Sequence, residues 1–208
     1  MKFVFILLAA LVAPGCFAAQ KAITDTGEEI LIFTDGTWKY ADNAQPAPVD
    51  IETNKQRFVK PKAANFLLKS QKNHSAFWLD TDKWSFQRSK KNTEAEYAMQ
   101  LKGKDLYGLA IAEEIQIPME SLVDIALENA RNVAPDIHVV KKEYRMVNDN
   151  KVIFMQMNGT MQGMKISYMG YYYSDPSGTT QYITYTASNL IDKYRPEIED
   201  FLNGLALQ

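Results

Sequence analysis

The chain reads as an α+β protein, with a mostly antiparallel sheet and helices on one face, preceded by a signal peptide and a small β-hairpin. Three observations lead there. Short runs of alternating apolar and polar residues recur between tight turns, so strands adjacent in sequence pair with each other. One amphipathic helical stretch interrupts these runs near the middle, and a second closes the chain.

The N-terminus carries Lys2, an apolar run from Phe3 to Ala13, and the small-residue exit Pro14-Gly15-Cys16-Phe17-Ala18-Ala19. This is the layout of a secretory signal peptide over residues 1–18, and the run is shorter than the roughly twenty apolar residues that a membrane crossing requires. Cys16 leaves two processings open. Cleavage after Ala18 removes it, whereas Gly15-Cys16 at the end of the apolar run also resembles a lipoprotein signal, in which Cys16 becomes the acylated first residue. Either way the single Cys of the chain is lost to catalysis, which excludes thiol nucleophiles, Cys-zinc sites and redox pairs.

Residues 19–40 form the hairpin segment. Glu29 to Phe33 reads as a strand, Asp35-Gly36 as a two-residue turn and Thr37 to Tyr40 as the return strand. The stretch Asp35-Gly36-Thr37-Trp38-Lys39-Tyr40 resembles a small hairpin that recurs just after the signal peptide of exported bacterial proteins. From 41 to 62 the residues turn polar and include Gln45-Pro46-Ala47-Pro48, the composition of a solvated linker.

The main domain is expected over 63–208. Phe66, Leu67 and Ser70 suggest a short helix between Ala63 and Gln71. Ala76 to Leu79 and Lys83 to Phe86 read as a hairpin around Asp80-Thr81-Asp82. Ala95 to Leu101 and Leu106 to Ala112 flank a Lys102-Gly103-Lys104-Asp105 turn. Pro118 opens a helix to Asn132 with Leu122, Val123, Ala126, Ala130 and Val133 on one stripe. Ile137 to Val147 and Lys151 to Asn158 surround Asn148-Asp149-Asn150; Met164 to Tyr173 and Thr180 to Ala187 surround Asp175-Pro176-Ser177-Gly178. Ser188 can cap a last helix with Ile191, Tyr194, Ile198, Phe201, Leu202 and Leu205 on its stripe. Pro196, followed by Glu197, Glu199 and Asp200, marks the start of a second helical segment.

This order, with the Gly163-Met164-Lys165-Ile166-Ser167-Tyr168 strand and the Tyr182-Ile183-Thr184-Tyr185-Thr186-Ala187 strand before the last helix, resembles the PsbP-like superfamily from about Ala76 to Leu207. The resemblance implies an α+β domain and an accessory or binding role, since members of that group are mostly non-catalytic. It assigns no functional residue to a position in this chain.

The charge balance, 23 Lys plus Arg against 25 Asp plus Glu, lacks the basic excess of a nucleic-acid binder. His74 and His138 belong to no HxH or HExxH pattern, and no Ser sits in a Gly-x-Ser-x-Gly elbow. Asp80-Thr81-Asp82 opens like a calcium loop, but Trp84 takes a ligand position and no Glu closes the loop. Two features remain. Met155, Met157, Met161 and Met164 lie around one predicted hairpin, and soft thioethers suit Cu(I), although strand-face Met residues also serve as core filler. Tyr171, Tyr173 and Tyr182 are the candidate binding surface, because an open aromatic face offers contact area with polar tips. No cofactor is expected beyond the Cu(I) alternative. The expected function is therefore a non-enzymatic envelope protein, periplasmic or secreted, that binds another envelope protein and touches the membrane only through an acylated Cys16. The alternatives are a small-molecule or Cu(I) binder using the Met155–Met164 hairpin, and an unrecognised hydrolase.

Overall fold

The computed structural model describes residues 20–23, 29–32, 38–40, 51–90 and 94–208. The signal peptide, Cys16, the Asp35-Gly36 turn and residues 41–50 lie outside the described residues. The chain divides into two units at residue 50.

In the first unit β1 (Gln20–Ile23), β2 (Glu29–Ile32) and β3 (Trp38–Tyr40) form a three-stranded antiparallel sheet in the order β1-β2-β3. The strands read from the sequence are β2 and β3; β1 pairs along the other side of β2, with Gln20 opposite Ile32.

The second unit contains β4 (Thr53–Phe58), β5 (Phe66–Lys69), β6 (Ser75–Leu79), β7 (Trp84–Arg88), β8 (Tyr97–Leu101) and β9 (Leu106–Glu113). Helix α1 (Met119–Arg131) follows, then β10 (His138–Val147), β11 (Asn150–Met161), β12 (Met164–Asp175) and β13 (Gly178–Ala187). A 3-10 turn at Ser188–Leu190, α2 (Arg195–Leu202) and β14 (Leu205–Leu207) end it. Eight strands form one sheet in the order β4-β10-β11-β12-β13-β9-β8-β7, and β14-β6-β5 form a smaller one. All pairs are antiparallel except β4 on β10.

Several expectations need correction. Residues 53–58 form a strand and not linker, because their polar side chains sit on a sheet edge where one face meets water while Phe58 is buried. The segment read as a helix at 63–71 contains β5: Leu68 is buried against the core, and Phe66 to Lys69 pair with β6. β6 and β7 do not form a hairpin, since the turn after Leu79 carries the chain from the small sheet to the large one. Leu205 belongs to β14, not to the last helix. Pro196 does open α2, as its fixed φ and missing N–H favour.

The two helices take opposite faces of the large sheet, not one shared face. Alternation along β11 sends Val152 and Phe154 into a core with Tyr171, Tyr182, the small sheet and the Ile198, Phe201 and Leu202 side of α2. Ile153, Met155 and Met157 point the other way, to Leu122, Val123 and Ala126 of α1. Ile183 and Tyr168 pack at the margin of this second core, and α1 contacts the sheet mainly at β11 and β12.

Candidate functional site

Beyond the reach of α1, the same sheet face continues across β13, β9, β8 and β7. The antiparallel register lines up five side chains there: Tyr168 opposite Tyr185, Tyr185 opposite Tyr107, Tyr107 opposite Gln100, and Gln100 opposite Ser85. The three tyrosines form a contiguous ring row, with centroids 5.7 Å apart for Tyr168–Tyr185 and 5.3 Å for Tyr185–Tyr107. The next row carries Gln87 opposite Ala98. Ala98 contributes only a methyl group, and a groove of about 500 Å³ lies there between Tyr107 and Tyr185 on one side and Ser85, Gln87 and Gln100 on the other.

Gln100, Gln87 and Ser85 are exposed and the tyrosines half-buried. Burial, and then the neighbouring phenol, raises the Tyr168 and Tyr185 hydroxyls above the ordinary tyrosine range. They remain neutral at physiological pH. Gly108 and the backbone at Phe86 and Met99, whose side chains turn to the opposite face, complete the lining, which contains no Asp, Glu, His, Lys, Arg or Cys. It offers hydroxyls, amides and the tyrosine rings, all uncharged.

The tyrosines predicted as a binding surface do not form this face. Tyr171 and Tyr182 are fully buried on the opposite one. Tyr182 is sandwiched between Phe77 and Phe201 at 4.6 and 4.3 Å, and Tyr171 donates to Asn203 Oδ1 at 2.9 Å. Tyr173 is half-buried and donates to Asp175 Oδ2 at 3.2 Å; burial and then the Asp175 charge push its hydroxyl up to about 12. The four methionines do not converge either. Met155 and Met157 fill the α1 core, while Met161 and Met164 face each other across the Gln162-Gly163 turn, with Met164 59% exposed. Six residues of extended strand, roughly 20 Å, separate Met155 from Met161.

A second, shallow polar pocket at the β12–β13 turn is lined by Asn73, His74, Glu114 and Ser177, among others. Ser177 Oγ donates to Asp175 Oδ1 at 2.6 Å, so its proton is held by a carboxylate, not by a histidine base. Neither His74 nor His138 is brought to the sheet groove. Among the described residues no three His, Cys, Asp or Glu side chains converge to hold a metal.

No family model and no curated protein matches the sequence. Solved structures do resemble the fold. The solution structure of the cyanobacterial PsbP (CyanoP) of Synechocystis superposes with a TM-score of 0.54 at 9% identity, covering 71% of this chain and 95% of that one. A protein of unknown function from Pseudomonas aeruginosa gives 0.44 at 11% identity, over 69% and 96%. The chain has a PsbP-like fold.

Proposed function

We propose that this PsbP-like protein is a non-enzymatic, exported envelope protein that binds another protein through the Tyr107–Tyr185 groove. The observation that carries the reading is the composition of that groove. A pocket that moves protons or attacks a bond needs a group poised to give or take charge near neutral pH. Tyr, Gln, Ser and Ala supply none, but tyrosine rings with no charged neighbour match the centre of a protein interface, where aromatic residues are enriched and charges depleted. Tyrosine adds area with few rotatable bonds and a hydroxyl that can finish a hydrogen bond to a partner backbone. Export is supported by the leader-like residues 1–18. No helix among the described residues is long and apolar enough to cross a membrane.

A photo-crosslinking residue at Gln100 tests the reading in cells. The expected result is one adduct of defined mass, larger than the chain crosslinked to itself, that disappears in a Tyr107→Ala background. The same probe at Ile125, exposed on α1, should not give it. Adducts of equal yield from both positions, or with the chain alone, would overturn the proposal.

A further inference from the structure

The two walls of the Tyr107–Tyr185 groove differ in what their polar atoms have left to offer. The hydroxyls of Tyr107 and Tyr185, and of Tyr168 next in the row, have no hydrogen-bond partner among the described residues, and all three side chains are half-buried. On the other wall the donors are already engaged. Ser85 Oγ donates to Gln100 O at 3.2 Å and Gln100 Nε2 to Lys104 O at 3.2 Å, which leaves Gln100 Oε1 as an acceptor. Neither wall carries a charge. The groove therefore presents a line of unused O–H donors beside one free amide oxygen.

We infer that the segment bound there is an uncharged, proline-rich stretch of the partner in the polyproline II conformation, a step that rests on the protein-binding reading of the groove. The recurring ways of holding a peptide differ in what they demand of a surface. Strand addition needs a free sheet edge, whereas this groove lies on a sheet face. An amphipathic helix keeps its carbonyls for its own backbone bonds and needs an apolar trough, and these walls are hydroxyl and amide. Acidic and phosphorylated motifs need Arg or Lys, and the lining has none. Polyproline II is the complement of the tyrosine wall. It has no internal hydrogen bonds, so its backbone carbonyls are free to accept, and proline brings no N–H that needs an acceptor. The match is one of partial charge: hydroxyl hydrogens without acceptors on the protein, carbonyl oxygens without hydrogens on the ligand. Pyrrolidine rings pack against Tyr107 and Tyr185, stacked at 5.3 Å, and over the methyl group of Ala98. Gln100 Oε1 remains to accept from the N–H of an intervening non-proline residue. A neutral oligosaccharide would stack on the same rings, but it brings an O–H donor with every hydroxyl, to a wall that already presents donors.

Amide chemical-shift titration of the full chain with a blocked Pro-Pro-Gln repeat of about nine residues, roughly 28 Å long as polyproline II, tests it. Saturable shifts are expected at Ala98, Gln100, Tyr107 and Tyr185. Tyr107→Phe and Tyr185→Phe keep the rings and remove one donor each, and should each weaken binding about fivefold. Both hydroxyls lack an internal partner, so neither variant disturbs the fold. A repeat with glycine in place of every second proline should bind at least about tenfold more weakly, since the preformed helix is lost. No shifts with the repeat, equal binding of the glycine version, or affinities unmoved by both Phe variants would overturn the inference. Saturable shifts at the same residues with maltotetraose, and none with the repeat, would overturn it too. The Gln100 photo-adduct separates this step from the reading beneath it. Excess repeat should suppress the adduct; an adduct without repeat binding removes the proline-rich ligand and leaves the protein-binding groove standing, whereas loss of both removes the reading itself.

Discussion

Arg145 shows how one side chain can hold a sheet edge. Its guanidinium lies 3.7 Å from the Phe154 ring centre and 4.5 Å from that of Phe58, and its Nε donates to Glu143 Oε1 at 2.6 Å. Glu143 also accepts from Asn54 Nδ2 at 3.0 Å, so β4 is tied to β10 through charge as well as backbone. Both ions are only 7% exposed. Arg145→Ala should therefore cost about 1.5–3 kcal/mol in chemical denaturation, because it removes a charged hydrogen bond and its ring packing while Lys141 Nζ, 3.0 Å from Oε2, still pairs the carboxylate. Burial by itself would raise the Glu143 carboxyl. The hydrogen bonds from Asn54, Lys141 and Arg145, with the Arg145 charge, outweigh it and hold the group below the usual glutamate range. Its stabilising contribution is thus complete above the unfolded-state value and lost as pH falls through the lower folded one. The melting-temperature gap between wild type and Glu143→Gln should narrow below about pH 4.3. The buried tyrosines make a sharper contrast. Tyr182 OH has no hydrogen-bond partner among the described residues, so Tyr182→Phe should leave the melting temperature unchanged or raise it. Tyr171→Phe removes bonds to Asn203 and Arg145 and should lower stability by about 1 kcal/mol.

At the scale of elements, the strands that escape sequence reading are those held by distant partners. Hairpins are legible because a turn sets the register. The Asp175–Gly178 turn dictates that Tyr168 faces Tyr185, and the Lys102–Asp105 turn that Gln100 faces Tyr107. Nothing local says that β13 lies against β9, the contact that joins these pairs into one tyrosine row. Nor does parity alone say which face α1 covers, and for that reason Tyr171 and Tyr182 looked as eligible as Tyr185. β4 and β14 are harder still: five polar residues ending in Phe58, and three apolar ones, each meaningful only beside a partner far along the chain. Asn148 joins both. Its Oδ1 accepts from Lys60 N at 2.8 Å, and its Nδ2 donates to Asn203 O and Leu205 O at 2.8 and 2.7 Å, from a turn position with φ +47°. Asn148→Gly keeps the backbone conformation and loses the bonds, whereas Asn148→Ala loses both. Urea denaturation should rank them wild type, then Gly, then Ala, with the last about 2–3 kcal/mol down.

At the scale of the whole molecule, the second unit carries its own cores. Both hydrophobic clusters, including the residues packed at their margins, lie between Ile51 and Leu205. A fragment of residues 51–208 should therefore unfold in a single cooperative transition in urea, monitored by near-UV circular dichroism. Removing 203–208 from it should abolish that transition, because buried Leu205 and the β14–β6 ladder go together.

The position of β14 also bears on when the protein can fold. Gly204 lets the chain run against Trp78, where an added Cβ would lie 2.2 Å from the Trp78 carbonyl oxygen, and Trp78 N donates to Gly204 O at 2.8 Å. The small sheet thus joins Leu205 to Phe77 across nearly the whole second unit, so its closure bears the loop entropy of the large sheet that lies between them. In refolding from urea, amide protection along β6 and β14 should therefore lag behind that of the β10–β13 hairpins.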